Sequence, residues 1–578
     1  MTKSNSPSLL PTSENSPLLD QHSSNGKKKP SFKRYVFILI LFSLIFGTTH
    51  TLFSPKQKPK KTNIIFFVTD GMGPASLSLT RSFRQFKYDL PINDTLVLDK
   101  HLIGSSRTMS SNSLVTDSAA GATAFSCAAK SYNGAIGVFP DKKPCGTVLE
   151  ALKLQGFMTG LVVTTSITDA TPAAFSAHTD YRSQQDLIAE HQLGQYSLGR
   201  MVDVMIGGGR CHYYGCRDDN RNLLQEAVDD GWTYVGNRTE FDKLNMGKIN
   251  EGEEIPLPLL ALMADRDIPF ELDRDDSVHP SLAESSITAL NLLHSNPANE
   301  KGLFILIEGS RIDHGGHFND PAAQVNEVLA FDEAFQAVKD WADSVSDEAD
   351  TIMISTSDHE TGGLSVARQI HHSYPDYLWL PEVLNNVTHT AEYVNRKIKS
   401  DLRESILQGD DLKKYLVDEI SENFGISDLS TREIDGLLKV TSPKTKEDFK
   451  ASGDAPLPMT SLMDHLVNLI NVRAQIGWST HGHSAVDVNI YGHGSSPEVH
   501  NKILGSLSGN HENTEIGGFM ADIIDGVDLD EVTELIKDTK HAPDLKQMEI
   551  FLGEEIVETN DETLLKKIEQ KVWENYVR

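Results

Sequence analysis

NIIFFVTDGMG, Asn63 to Gly73, is a continuous β-rich run that ends in an aspartate and a glycine-bearing turn. An unbroken apolar run, unlike an alternating one, predicts a strand covered on both faces. The same formula returns in LVVTTSITDATP (Leu161–Pro172), VDVMIGGG (Val202–Gly209), GLFILIEGSRID (Gly302–Asp313) and DTIMISTSDHETGG (Asp350–Gly363). Between these runs lie helical patterns such as AAQVNEVLAFDEAFQAVKDWADSV (Ala322–Val345). Strands alternating with helices predict an α/β fold: a central, mostly parallel sheet with helices on both faces. Ligands of such folds bind beyond the carboxyl ends of the strands, where this chain keeps its Asp, Glu, Ser and Thr residues. From about 365 to 476 the rhythm breaks into a charged helical insert or crown, and residues 528–578 read as an acidic helical extension.

The folded body is expected at 63–527, behind a Lys/Pro-rich linker at 54–62. Tyr35–Phe53 is apolar over 19 residues, roughly 28 Å as a helix and enough to cross one bilayer core. Because 34 polar residues precede it, an uncleaved anchor fits better than a signal peptide, whose apolar stretch is shorter and nearer the start. The first 61 residues hold ten basic against two acidic residues, +8, which leaves −37 of the total −29 on the remainder. That acidic body argues against nucleic acid as a partner. Hydrophobic content of 39% with 23% charged residues excludes a disordered or fibrous chain.

Basic residues flank the anchor on both sides, so charge alone does not orient it. Sequons at Asn93, Asn237 and Asn386, usable only in the secretory lumen, favour a luminal body. Four cysteines in two close pairs, Cys127/Cys145 and Cys211/Cys216, suit two short-loop disulfides in an oxidising compartment. Residues 1–34, rich in Ser, Pro and Asn, then form a disordered cytosolic tail. Within it ENSPLL (Glu14–Leu19) resembles the acidic dileucine signals read by sorting adaptors, which implies delivery to an endosome, lysosome or vacuole.

LVTDSAAGATAFSCAAK (Leu114–Lys130) raises the question of chemistry. Ser118 follows Asp117, an ordinary helix cap, and no histidine stands within a dozen residues to activate it. Asp70, Glu308, Asp313, His317, Asp358 and His359, however, all fall at strand ends, and His481 and His483 lie in GWSTHGHSAVDV. Asp and His are ordinary zinc ligands, and carboxylate with hydroxyl oxygen suits magnesium. A divalent ion at Ser118 would acidify its hydroxyl without a general base, as zinc acidifies bound water.

VTDGMG, VTDSAAGATA, DATPAAFSAHTDYR, EGSRIDHGGH, SDHETGG and GHSAVDV resemble, in this order, the motifs of the alkaline phosphatases, over about Asn63 to Gly526. With the anchor and sorting pattern, the resemblance is to the vacuolar, type II membrane members found in fungi. It implies a homodimer that hydrolyses small-molecule phosphate monoesters with broad specificity, using two Zn²⁺ and one Mg²⁺ per subunit. Ser118 then resembles the nucleophile that becomes phosphoserine. Asp313, His317 and His483 resemble the ligands of the first zinc, with His481 the alternative to His483. Asp70, Asp358 and His359 resemble those of the second, and Thr171 and Glu308 join Asp70 at magnesium. Arg182 resembles the phosphate-gripping arginine, its planar fork matched to two oxygens and oriented by Asp117. Asp169 and His314 fall beside magnesium, where a histidine implies a phosphate contact that weakens as it deprotonates, hence an alkaline optimum and fast product release. The rival readings are a phosphodiesterase or sulfatase of the same superfold, and an inactive membrane receptor.

Overall fold

The computed structural model describes residues 60–248, 255–404, 407–441 and 461–541. The tail and anchor expected at 1–34 and 35–53, and the linker up to Pro59, lie outside the described residues. Among the described residues no helix is long and apolar enough to cross a membrane.

Among the described residues, twelve strands run along the chain. They are β1 (Lys61–Val68), β2 (Leu102–Arg107), β3 (Met158–Ser166), β4 (Val204–Gly208), β5 (Thr233–Val235), β6 (Leu259–Leu262), β7 (Gly302–Glu308), β8 (Ala349–Thr356), β9 (Glu360–Thr361), β10 (His483–Ser484), β11 (Val488–Gly494) and β12 (Gly509–Glu512). Ten of them form one sheet in the order β12-β2-β11-β8-β1-β7-β3-β4-β6-β5, and β9 pairs with β10 apart from it. Within the large sheet only β11 runs antiparallel to its neighbours, β2 and β8. The five strands expected from the sequence are β1, β3, β4, β7 and β8, contiguous at the centre of the sheet. The other members are shorter or more polar; GNHE of β12 carries no hydrophobic signal at all.

β1 shows why its sequence does not alternate. Ile65 and Phe67 enter one buried cluster with Phe331, Phe335 and Val338 of the long helix Pro321–Ser344. Ile64, Phe66 and Val68 point the other way, into a cluster with Phe125 and Phe175. All five are fully buried, each contributing about 1.5–3 kcal/mol from removal of its side chain from water. Phe66 meets Phe125 edge-on at 5.3 Å. Because Phe125 belongs to the helix Ser118–Ser126, whose residues are all buried, that contact seats the helix over β1.

The insert forms a third core around Ile398, Leu416, Ile420, Leu466 and Ile470, supplied by the helices Ala391–Glu404, Gly409–Phe424 and Leu462–Ala474. Its two ends meet where Ser365 and Gly477 exchange backbone hydrogen bonds of 2.8 and 2.9 Å. Cys127 pairs with Cys145 and Cys211 with Cys216. Asn93, Asn237 and Asn386 are exposed. The extension expected at 528–578 begins inside the body: the helix Leu529–Ile536 buries Val532 and Ile536, and described contacts continue to His541.

Candidate active site

Four adjacent central strands, β8, β1, β7 and β3, deliver the polar residues at their carboxyl ends. Asp70 follows β1, Glu308 closes β7, and Asp358 and His359 follow β8. The helix Ala170–Ser176 after β3 carries Thr171, and the helix Arg311–Phe318 after β7 carries Asp313 and His317 one turn apart. The β9–β10 pair, in which His483 sits opposite Thr361, brings in the last imidazole.

Ser118 opens its helix behind Asp117, which works at three places. Asp117 Oδ1 accepts from Ala120 N at 3.0 Å, and Oδ2 accepts from Gly134 N at 3.0 Å and from Arg182 Nη1 at 3.4 Å. Arg182 Nη2 donates to Asp169 Oδ1 at 3.0 Å, so two carboxylates hold the guanidinium beside the serine helix. Ser118 Oγ lies 3.0 Å from His359 Nε2. The histidine missing from the local sequence around the serine therefore arrives from the end of β8. Gly121 makes the approach possible, since a Cβ there would stand 3.0 Å from Asp358 Cβ.

Two donor groups share Asp313: Asp313, His317 and His483 form one, Asp70, Asp313 and His359 the other, with ligand atoms in each within 4.8 Å. Asp358 stands beside the second group, its Oδ2 3.2 Å from His359 Nε2. His483 Nε2 lies 3.1 Å from His317 Nε2 and 3.6 Å from Asp313 Oδ1. His481 is outside both groups. Its ring bonds the His317 carbonyl at 2.8 Å, and its own carbonyl accepts from His317 Nδ1, which turns His317 Nε2 toward Asp313. The Thr116 carbonyl does the same for His483 through Nδ1 at 2.8 Å. His314 Nδ1 faces Arg311 Nε at 3.2 Å and Asp267 Oδ2 at 3.7 Å.

Thr361, unremarked in the sequence, donates to Asp313 Oδ1 at 2.5 Å and touches His359 Nδ1 at 3.2 Å, so it ties the two donor groups together. Its only sequence signal was its place two residues after His359 in SDHETGG.

The electrostatics ask for cations. Burial, joined by the charges of Asp358, Asp313 and Glu308, drives the Asp70 carboxyl well above the usual range. Burial also lifts Glu308 to about 8 and Asp358 to about 7, with Asp169 and Asp313 respectively adding repulsion. Asp313 differs: burial would raise it, yet the His317 and His483 imidazoles outweigh that and hold it well down. Desolvation depresses His483 to about 4 and holds His359 well below its ordinary value, which favours the neutral imidazoles that can ligate. Asp70 Oδ1, Thr171 Oγ1 and Glu308 Oε2 are buried without a hydrogen-bond partner. Such atoms cost ~1–3 kcal/mol each, and more when charged. A mixed oxygen and imidazole donor set with orphaned buried oxygens fits divalent metal ions.

Fold and site together define an α/β protein in which a buried serine hydroxyl stands against a cluster of carboxylates and imidazoles suited to divalent metal ions. The chain belongs to the alkaline phosphatase family, whose family model, "Alkaline phosphatase", matches residues 61–525. It is 51% identical over 529 residues to the repressible alkaline phosphatase of Saccharomyces cerevisiae, covering 89% of each chain. It is 43% identical over 558 residues to an alkaline phosphatase of Schizosaccharomyces pombe, covering 92% of this chain and 96% of that one. Among solved structures, a cold-active alkaline phosphatase from the psychrophile Shewanella sp. superposes with a TM-score of 0.64 at 28% identity, over 80% of this chain and 99% of that one. The enzyme is an alkaline phosphatase, a phosphate monoester hydrolase.

Proposed function

We propose that this enzyme hydrolyses phosphate monoesters of broad range through a phosphoserine at Ser118, with two Zn²⁺ and one Mg²⁺ held by the cluster. Asp313, His317 and His483 would hold one zinc and Asp70, Asp358 and His359 the other, with Thr171 and Glu308 joining Asp70 around magnesium. When bound, the ions supply Lewis acidity that lowers the pKa of coordinated hydroxyl and water oxygens and neutralises developing charge. The carrying observation is the buried set of orphaned carboxylate and hydroxyl oxygens beside Ser118.

The protein's own part follows from geometry. The serine helix presents Oγ at its N-terminus, where the dipole favours an anion. Arg182, fixed by Asp117 and Asp169, offers two parallel N–H donors to two phosphoryl oxygens. Little of the leaving group is needed for recognition, which supports broad monoester specificity. A second reading, in which His359 itself takes the Ser118 proton, is favoured by the 3.0 Å contact. The test is p-nitrophenyl phosphate turnover with and without chelator, for native enzyme and Ser118→Ala, with acid trapping of a phosphorylated Ser118 peptide. Turnover that survives complete metal removal and is abolished by His359→Ala would install the second reading. Faster cleavage of a diester than of the monoester would favour the phosphodiesterase alternative.

The same reading places the enzyme as a glycosylated type II membrane homodimer of the vacuole, its body luminal and its Glu14–Leu19 motif engaging a sorting adaptor. Support comes from the 19-residue apolar run, the three sequons and the paired cysteines. Fluorescence localisation of Leu18→Ala/Leu19→Ala protein, expected to leave the vacuolar route, tests it, and glycosidase sensitivity tests the orientation.

A further inference from the structure

Outside the donor cluster, the segment that leads to Arg182 is contacted by residues 529–541, far away in sequence. The helix Leu529–Ile536 docks beside Gly146, whose N–H donates to Thr533 Oγ1 at 2.8 Å. No other residue fits at 146, because a Cβ would lie 2.5 Å from the Leu529 carbonyl and 2.6 Å from Val532 Cβ. Past the helix, Thr539 Oγ1 meets Ser197 Oγ at 2.8 Å. His541 then closes on Asp180 from two sides: its carbonyl accepts from Asp180 N at 2.9 Å, and its Nδ1 lies 2.9 Å from Asp180 Oδ1. The same carbonyl accepts from Gln184 Nε2 at 3.4 Å. Asp180 is two residues from Arg182, and the segment between leans on Tyr132, whose hydroxyl donates to the Asp180 carbonyl at 2.8 Å. Arg182 N donates to the Gly134 carbonyl at 2.8 Å.

We propose that residues 529–541 are a strap that sets the position of Arg182, with His541 as its positioning residue through the doubly held Asp180. The proposal rests on the reading of Arg182 as the phosphate-binding arginine. The physical reason is the nature of the segment: Asp180–Arg182 lies in neither helix nor strand of the sheet. Its backbone groups must be tied from outside, and one tie comes from a segment more than three hundred and fifty residues away. A guanidinium serves two oxygens only when its plane is held, and small displacements in a positioning group reduce rate and affinity steeply.

The experiment uses the full chain loaded with zinc and magnesium. His541→Ala is expected to raise KM and the inhibition constant of inorganic phosphate together by about fivefold, the loss of roughly one hydrogen bond, with kcat and metal content little changed. His541→Asn, which keeps a side-chain donor for Asp180, is expected to recover most of that loss. In an Arg182→Ala background His541→Ala should add nothing to the phosphate constant. If Arg182→Ala weakens phosphate while His541→Ala and Asp180→Asn leave it unchanged, the strap proposal is overturned and the arginine reading stands. If Arg182→Ala leaves phosphate affinity unchanged, both fall. A His541→Ala protein that only melts earlier, with wild-type phosphate affinity, assigns the strap a purely structural role and also overturns the proposal.

Discussion

Ser118 Oγ and His359 Nε2 lie 3.0 Å apart, though 241 residues separate them in the chain. Helix Ser118–Ser126 and the end of β8 are held in that relation by packing under both: Phe125 on Phe66 below the helix, and β1 hydrogen-bonded to β8 below the histidine. Ser118→Ala is expected to lower kcat for p-nitrophenyl phosphate at least about a thousandfold, the usual consequence of deleting a nucleophile. The fold should be unaffected, so the melting temperature is the control.

Metal removal should act on stability as well as on turnover. Asp70, Glu308 and Asp358 are buried carboxyls held above their ordinary range by burial and by the charge of neighbouring carboxylates. A cation that binds only the folded state adds about 4 kcal/mol at a thousandfold excess over its dissociation constant. Exhaustive chelation is expected to abolish turnover and lower the melting temperature by several degrees. Zinc with magnesium should restore both, and an unchanged melting curve would count against a metal-filled cluster.

Gly121→Ala separates propensity from fit. In an exposed helix interior the change would stabilise by about 1 kcal/mol. Here the new methyl would stand 3.0 Å from Asp358 Cβ, so either the serine helix or Asp358 must shift. The expected result is a loss of kcat of about tenfold or more, with no gain in melting temperature. A more stable, fully active variant would show that the close approach is not needed.

A buried pair away from the cluster sets a pH window for stability. Glu150 and His178 are fully buried and 2.9 Å apart. Burial alone would raise Glu150, but His178, Tyr196 and Thr147 together hold it below its ordinary 4.5. Burial would lower His178, but Glu150 outweighs it and raises His178 above 6.5. The Glu150 contribution is therefore present above 4.5 and lost as pH falls through the depressed value. That of His178 is complete below 6.5 and lost as pH rises through the elevated value. Denaturation at a series of pH values should show His178→Gln losing about 3–5 kcal/mol between these limits. Replacing both residues with Gln should flatten both arms of the profile.

Much of the centre of the molecule is legible in its sequence. β1, β3, β4, β7 and β8 are buried on both faces, so their sequences are continuous apolar runs that stand out from their surroundings. Edge members such as β12, GNHE, owe their strand conformation to pairing with β2 alone, which leaves no trace in composition. Where the apolar rhythm of the central strands stops, Ser365 and Gly477 pair across the base of the helical segment. Thr361 escaped notice because a lone threonine near a histidine has many uses, and its bond to Asp313 is made across a distance in sequence.

Local chemistry along the chain determined which side chains are candidates for function: the run lengths that make parallel strands, the acids and imidazoles that end them, and the serine behind its capping aspartate. Tertiary structure alone decided the selection among them. His483 and His481 differ by two residues, yet one ring enters the donor cluster while the other bonds the His317 carbonyl. Likewise nothing in residues 529–541 announces a link to Arg182. Such choices depend on which surfaces meet when distant segments pack, and contact between segments hundreds of residues apart is a property of the folded chain.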